Sequence, residues 1–327
     1  MTDTRILAAK QYAAEGRDWH IDAAMSEISV QFALSQDKFI AQDILPIVPV
    51  AKQSDKYYVW SRNDWFRIPN TRRARATAPK YIESGVSSLG YFAENYMLGE
   101  RIPFEDLTNA DAALQREESA VKLVTQLIML DQENRVATLL TTAANVGSGN
   151  ALTGVNRWND RTGSDPVSDV TTGKSWIQLE SGQTDLTMVV GQQVHDALLL
   201  HPDIHERVKY VARADQANLA NAMADIFGVK RYLIGKAVQN TAAENLPGTM
   251  AYVWGKNVVL IYTPDAPALN MPSGGYMFRW RPTGFSDFVA ETRDDEDIKA
   301  RIKRVGYFQD EVVTSTECTY LLTTVVD

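Results

Sequence analysis

The chain has 327 residues, of which 45% are hydrophobic and 23% charged, an ordinary globular balance that excludes global disorder. Its net charge of −8 works against unspecific attraction to nucleic acid or anionic membranes, and its single cysteine excludes an internal disulfide or a multi-cysteine zinc site. No run of about 18 apolar residues offers a membrane span, and Met1–Lys10 lacks the basic-then-apolar order of a secretory signal.

Residues 1–45 carry net charge −3 and scattered aromatics (Trp19, Phe32, Phe39) without strong periodicity. They read as an arm, with one short helix near Asp22–Ser29, ordered by contact with other surfaces. Residues 46–95 reverse the sign, to +4. Pro46 and Pro49 force extended backbone at their start. Two β-prone runs follow, Tyr57–Trp60 and Val86–Met97, separated by the basic stretch Arg67–Lys80 with Arg72, Arg73 and Arg75. This predicts a long two-stranded excursion whose tip is too polar to fold on a core of its own. Aromatics combined with arginines on such an arm match the composition of protein–protein interfaces. Trp60, Trp65, Phe66, Arg72, Arg73, Arg75 and Tyr81 are therefore the candidate interface residues. Salt bridging to an acidic neighbour is the favoured role for the arginines, ahead of phosphate contact.

Thr108–Asp111 supplies a helix start, and no proline or glycine interrupts Asp111–Val146 before Gly147. Leu114, Val121, Val124, Ile128, Val136, Leu139 and Ala143 recur at helical spacing. The expectation is one rod about 50 Å long. Residues 147–183, rich in Gly, Ser, Thr and Asp, read as a loop and domain boundary. From 184 to 290 strands (Leu186–Val190, Tyr232–Ile234, Val258–Tyr262, Met277–Trp280) alternate with helices (Gln192–Leu200, Pro202–Val211, Gln216–Phe227) in a compact α/β unit. Residues 291–327 read as long, half-exposed strands packing on the rod.

Catalytic signals are weak. Gly235-Lys236 and Gly255-Lys256 lack the spacing of a phosphate loop, and neither a Gly-x-Ser-x-Gly elbow nor a dinucleotide fingerprint occurs. His195, His201 and His205 cluster, and Asp196 or Glu206 could complete a ligand set, but Pro202 suggests a helix start that makes His201 a cap residue. Asp294–Asp297 lacks the spacing of a calcium loop and reads as a solvated turn. Cys318 reads as a small apolar filler in a late strand. No enzyme activity, cofactor or metal is expected; a small-molecule enzyme on residues 184–290, with the histidines as bases, is the rival from another class.

The order of these parts, together with Phe39–Val50, Trp158-Asn159-Asp160, Ser164-Asp165-Pro166, Val194–Leu198, His201–Ile204 and Phe227-Gly228-Val229, resembles the tailed-bacteriophage major capsid proteins, whose fold also forms encapsulin shells. The resemblance implies an α+β phage capsid fold over the whole chain. Its parts would be an N-terminal arm (1–45), an extended β-hairpin loop (46–95), and a peripheral domain (96–183 and 291–327) with spine helix 111–146. A compact α/β axial domain (184–290) would complete it. It implies a structural coat protein that assembles with copies of itself into pentamers and hexamers of an icosahedral head, made in the bacterial cytoplasm and enclosing double-stranded DNA without reading its sequence. A separate scaffolding protein, a portal and decoration proteins would be the partners, with no membrane. Some relatives crosslink a loop lysine to a neighbour's asparagine; Lys52, Lys56 and Lys80 are available, but their surroundings establish no such reaction. An encapsulin-like compartment is the alternative within the same fold.

Overall fold

The computed structural model describes residues 20–21, 39–109, 116–208, 216–243, 245–267, 271–282 and 288–327. The short helix expected near Asp22–Ser29, the start of the rod at Asp111–Gln115 and the end of the helix expected over Pro202–Val211 lie outside them.

Two sheets and one long helix make the body. The first sheet is built around a 13-residue strand, β14 (Ala300–Val312). On one side β14 pairs with β13 (Val289–Asp295) and then with β12 (Tyr276–Trp280); on the other it pairs with β5 (Glu94–Pro103), all antiparallel. A parallel partner of β12, β2 (Ile47–Val50), and the short β1 (His20–Ile21) complete the sheet. Pro49 is accommodated because β2 lies at the edge, where a missing N–H costs no ladder bond.

The second sheet has the order β6 (Ser148–Ala151), β15 (Thr319–Thr323), β11 (Val258–Ile261), β7 (Thr187–Gly191), β8 (Arg231–Gly235). Its inner strands β7 and β11 are buried along their whole length because both faces are covered. The two-residue period sorts the side chains. Met188, Val190, Val258, Leu260, Tyr320 and Leu322 face the surrounding short helices. Val189, Val259, Ile261 and Leu321 face the rod.

The rod runs over Arg116–Thr141, 26 residues and about 39 Å. Its first half (Val121, Val124, Ile128, Met129) packs on Ala290, Val305 and Tyr307 of the first sheet. Val136, Ala137 and Leu140 reach the second. It stops short of the expected Val146. Thr141 and Thr142 turn their hydroxyls back onto the carbonyls of Ala137 and Thr138, and Thr142 leaves the helical region at φ −84°, ψ 116°. Ala143 is consequently exposed rather than on the buried face. At the start, Phe104–Asn109 is already helical, so Thr108 and Asn109 lie within a helix rather than ahead of one.

Three expectations change. Residues 147–183 contain a 16-residue helix, Pro166–Ser181. Asp165 caps it by accepting from Ser168 N, Pro166 occupies the first turn and Gly182 (φ 73°) ends it. Met277–Trp280 belongs to the first sheet, and residues 319–323 to the second, so the chain crosses between sheets near both places. Ile44 and Leu45, expected in the arm and its extended exit, are fully buried against the rod, and Ala41–Ile44 forms one helical turn.

Candidate assembly interface

Residues 51–93 leave the body as a hairpin. Its stem is β3 (Ser54–Trp60) paired with β4 (Val86–Phe92). The pairing places Tyr57, Val59, Ser87, Leu89 and Tyr91 on one face, and Tyr58, Trp60, Val86 and Phe92 on the other. The first face is anchored: Tyr57 and Tyr91 stack on Phe278, with ring centroids 5.5 and 4.6 Å away. Phe92 N donates to Asp310 Oδ2 at 2.9 Å and Ala93 N to Gln53 O at 2.8 Å, closing the root on the body. The second face is open to solvent, Tyr58 at 76% and Phe92 at 55% exposure.

Beyond the stem, Ser61 N donates to Gly85 O and Gly85 N to Asp64 Oδ2, so the excursion is pinched at 61–64 and 85. Every residue from 65 to 90 is exposed. Of the candidate residues, Trp60 and Trp65 meet edge to face at 6.2 Å. Phe66 lies against Gly182 of the body, close to the ion pair of Arg62 with Glu180. Arg72, Arg73 and Arg75 are exposed and, among the described residues, form no ion pair within the chain. Tyr81 stands apart at 85% exposure. The structure therefore brings Trp60, Trp65 and Phe66 toward the stem and leaves the arginines and Tyr81 separate. Sequence reasoning passed over Ile68 and Ile82, exposed at 95% and 79%. Aliphatic residues flanking a basic, proline-containing tip were the available signal.

The other candidates fall into structural roles. His195 Nδ1 lies 2.9 Å from Tyr232 Oη in the core; burial holds its imidazole below the usual value and the phenol well above its own. His201 is buried, with Nε2 3.2 Å from Ser164 Oγ, and its carbonyl accepts from Ile204 N and His205 N at the head of Pro202–Val208. His205 is exposed on that helix, so the three rings are not assembled on common partners. The turn at 294–297 is held by Asp294–Arg301 and Glu296–Lys299 pairs and by Asp295 Oδ1 accepting from Asp297 N. Cys318 is buried, and burial pushes its thiol up to about 11. Lys52 pairs with Asp55, while Lys56 and Lys80 are exposed.

The body beneath the hairpin is braced by polar groups that sequence reasoning missed. Arg135 on the rod donates to both oxygens of Glu311 and to Tyr307 Oη, and lies over the ring of Tyr96. The bridge is only partly exposed and joins the rod to β5 and β14. Glu133, two residues before it and wholly buried, accepts from Ile40 N, Ala41 N and Trp254 Nε1. Both sit in the charged run Asp131–Arg135, which on a helix ordinarily signals a solvated face.

No protein-family model matches the chain. It is 26% identical over 247 residues to the major capsid protein of Burkholderia phage BcepMu, covering 75% of this chain and 76% of that one. It is 25% identical over 304 residues to the major capsid protein of Pseudomonas phage JBD67, covering 91% and 94%. The crystal structure of a phage-related protein from Bordetella bronchiseptica RB50 superposes with a TM-score of 0.70 at 22% identity, over 94% of this chain and 98% of that one. The capsid of cyanophage P-SCSP1u gives 0.57 at 10% identity, over 87% of each. Two-sheet body, rod and projecting hairpin are thus the phage capsid fold, and over most of its length the chain is similar in sequence to the major capsid proteins of two phages.

Proposed function

We propose that this chain is the coat subunit of a phage head, a structural protein without catalytic activity that assembles with copies of itself. The observation that carries the reading is the uninterrupted exposure of residues 65–90, a segment holding Trp65, Phe66, Ile68, Tyr81 and Ile82 on a stem rooted firmly in the body. A monomeric protein rarely presents so much apolar surface on one projection, and an assembled one covers it. The unpaired Arg72, Arg73 and Arg75 suit the acidic body of a neighbouring copy.

Heterologous contacts of this kind close into rings. Pentamers and hexamers tiling an icosahedral shell follow, with about 2,000–5,000 Å² buried per permanent contact. The second sheet and its helices form the axial unit at the ring centre, and the first sheet with the rod forms the periphery. Assembly takes place in the host cytoplasm with a separate scaffolding protein, and the finished virion adds a portal and decoration proteins. The net negative charge disfavours early genome binding, so DNA is enclosed without sequence-specific contact. The phage relatives favour this reading over a cargo compartment of encapsulin type. Sedimentation and electron microscopy of the chain co-expressed with its scaffold test it: rings or shells are expected, and a chain monomeric under all such conditions overturns it. Electron microscopy of native particles separates a DNA-filled head from an enzyme-filled compartment.

A further inference from the structure

The point where the arm meets the body is built on a buried carboxylate. Glu133 is 0% exposed and receives Ile40 N at 3.0 Å and Ala41 N at 2.8 Å on one oxygen, and Trp254 Nε1 at 2.5 Å on the other. Three separate parts of the fold therefore converge on one side chain: the end of the arm, the rod, and the turn before β11. Neutral groups and apolar side chains make up the rest of the joint. Gln42 Nε2 donates to Gln132 Oε1 beside it, and Ile44 and Leu45 fill the space between rod and second sheet. Among the described residues no cation pairs with Glu133. The charge acting on it from the arm is Asp43, of the same sign, and Arg231 on β8 acts in turn on Asp43.

Three N–H donors favour the ionised form, but removal from water without a counter-ion disfavours it more. The carboxyl is accordingly raised from 4.5 to about 7, by burial first, with the three donors opposing and Asp43 assisting. We propose that Glu133 is a proton-operated joint, closed on residues 40–45 when the carboxyl is neutral and loosened when it is ionised. The sign follows from linkage. A group whose value is higher in the closed state favours closure fully below its open-state value, and that contribution is lost as pH rises through the closed-state value, here about 7. Opening hydrates the carboxylate and frees Ile40 N and Ala41 N while both sheets keep their ladders. The device belongs to the single chain and stands or falls independently of assembly.

Hydrogen exchange of the 39–46 segment in the full chain tests it, read from pH 5.5 to 8.5 and corrected for intrinsic exchange. Protection is expected to fall by up to about tenfold per pH unit from the acid end of this range and to level off above the midpoint near 7. E133Q should abolish the inflection. W254F, which removes a donor to the ionised form, should move the midpoint up; D43N, which removes a like charge, should move it down. If E133Q does not fold, the opposite shifts of the other two variants still decide the matter. An absent inflection in the wild-type chain, or midpoints unmoved by W254F and D43N, overturns the joint.

Discussion

Tyr91 lies almost flat on Phe278, ring centroids 4.6 Å apart at an interplanar angle of 17°. Tyr57 stacks from the same face of the stem, so two aromatic rings on the hairpin clamp one on β12. The direction in which the hairpin leaves the body is set at this point, by residues that are themselves covered. Tyr91→Ala removes the nearer of the two clamping rings and should lower stability by about 3 kcal/mol. Chemical denaturation measures that loss, and shell yield should fall further than stability alone accounts for.

The pinch between Ser61, Asp64 and Gly85 separates a supported stem from an unsupported tip. Replacing residues 67–82 by a short Gly/Ser turn should leave the thermal midpoint of the isolated chain nearly unchanged while abolishing ring and shell formation in sedimentation. Unfolding of the body would mean that the tip contributes to the core.

Changing Arg72, Arg73 and Arg75 together to serine touches no ion pair within the described chain, so stability should stay within about 0.5 kcal/mol. Assembly should require more protein and become less sensitive to salt, because attraction between exposed charges is what salt screens. Light scattering against subunit concentration at two ionic strengths reads both effects.

Gly173 sits mid-helix where alanine would ordinarily gain about 1 kcal/mol. Here a Cβ would stand 2.7 Å from Leu260 Cδ1 and 2.7 Å from Tyr320 Cδ1, in the core of the second sheet. Overpacking outweighs propensity, and Gly173→Ala should destabilise the chain by about 1–2 kcal/mol in denaturant titration.

The buried Cys318 thiol, raised to about 11, is both inaccessible and protonated near neutrality. A thiol reagent at pH 8 should leave the native chain unlabelled and modify it stoichiometrically once unfolded. Rapid labelling of native protein would contradict the burial.

The parts legible in the sequence were those with a local signature. Val121, Val124, Ile128 and Val136 marked the rod by their spacing, and Tyr57–Trp60 with Val86–Met97 marked the stem by β-propensity around a polar tip, although only Val86–Phe92 of the second run pairs in the stem and Glu94 onward joins the first sheet. The helix Pro166–Ser181 was hidden by its Ser, Thr and Gly content, although Asp165-Pro166 and Gly182 bracket it as a cap and a stop. Its Gly173 weakens the helical signal locally for a reason that lies 87 and 147 residues later, at Leu260 and Tyr320. The exchange of β12 and β15 between sheets was equally out of reach, since pairing partners are chosen by tertiary packing. Within the candidate interface, composition pointed to aromatics and arginines that the structure leaves exposed, but the brace at Arg135 and the joint at Glu133 looked like solvated charge until their distant partners were in place.

β15 occupies an inner position of its sheet, flanked by β6 and β11, although it comes from residues 319–323. Until that stretch has emerged from the ribosome, apolar β11 and polar β6 flank a vacant slot, and the ladder groups that face it are unsatisfied. A nascent or prematurely terminated polypeptide therefore cannot finish this sheet. Closure of the core thus waits for the last strand of the chain to be synthesised.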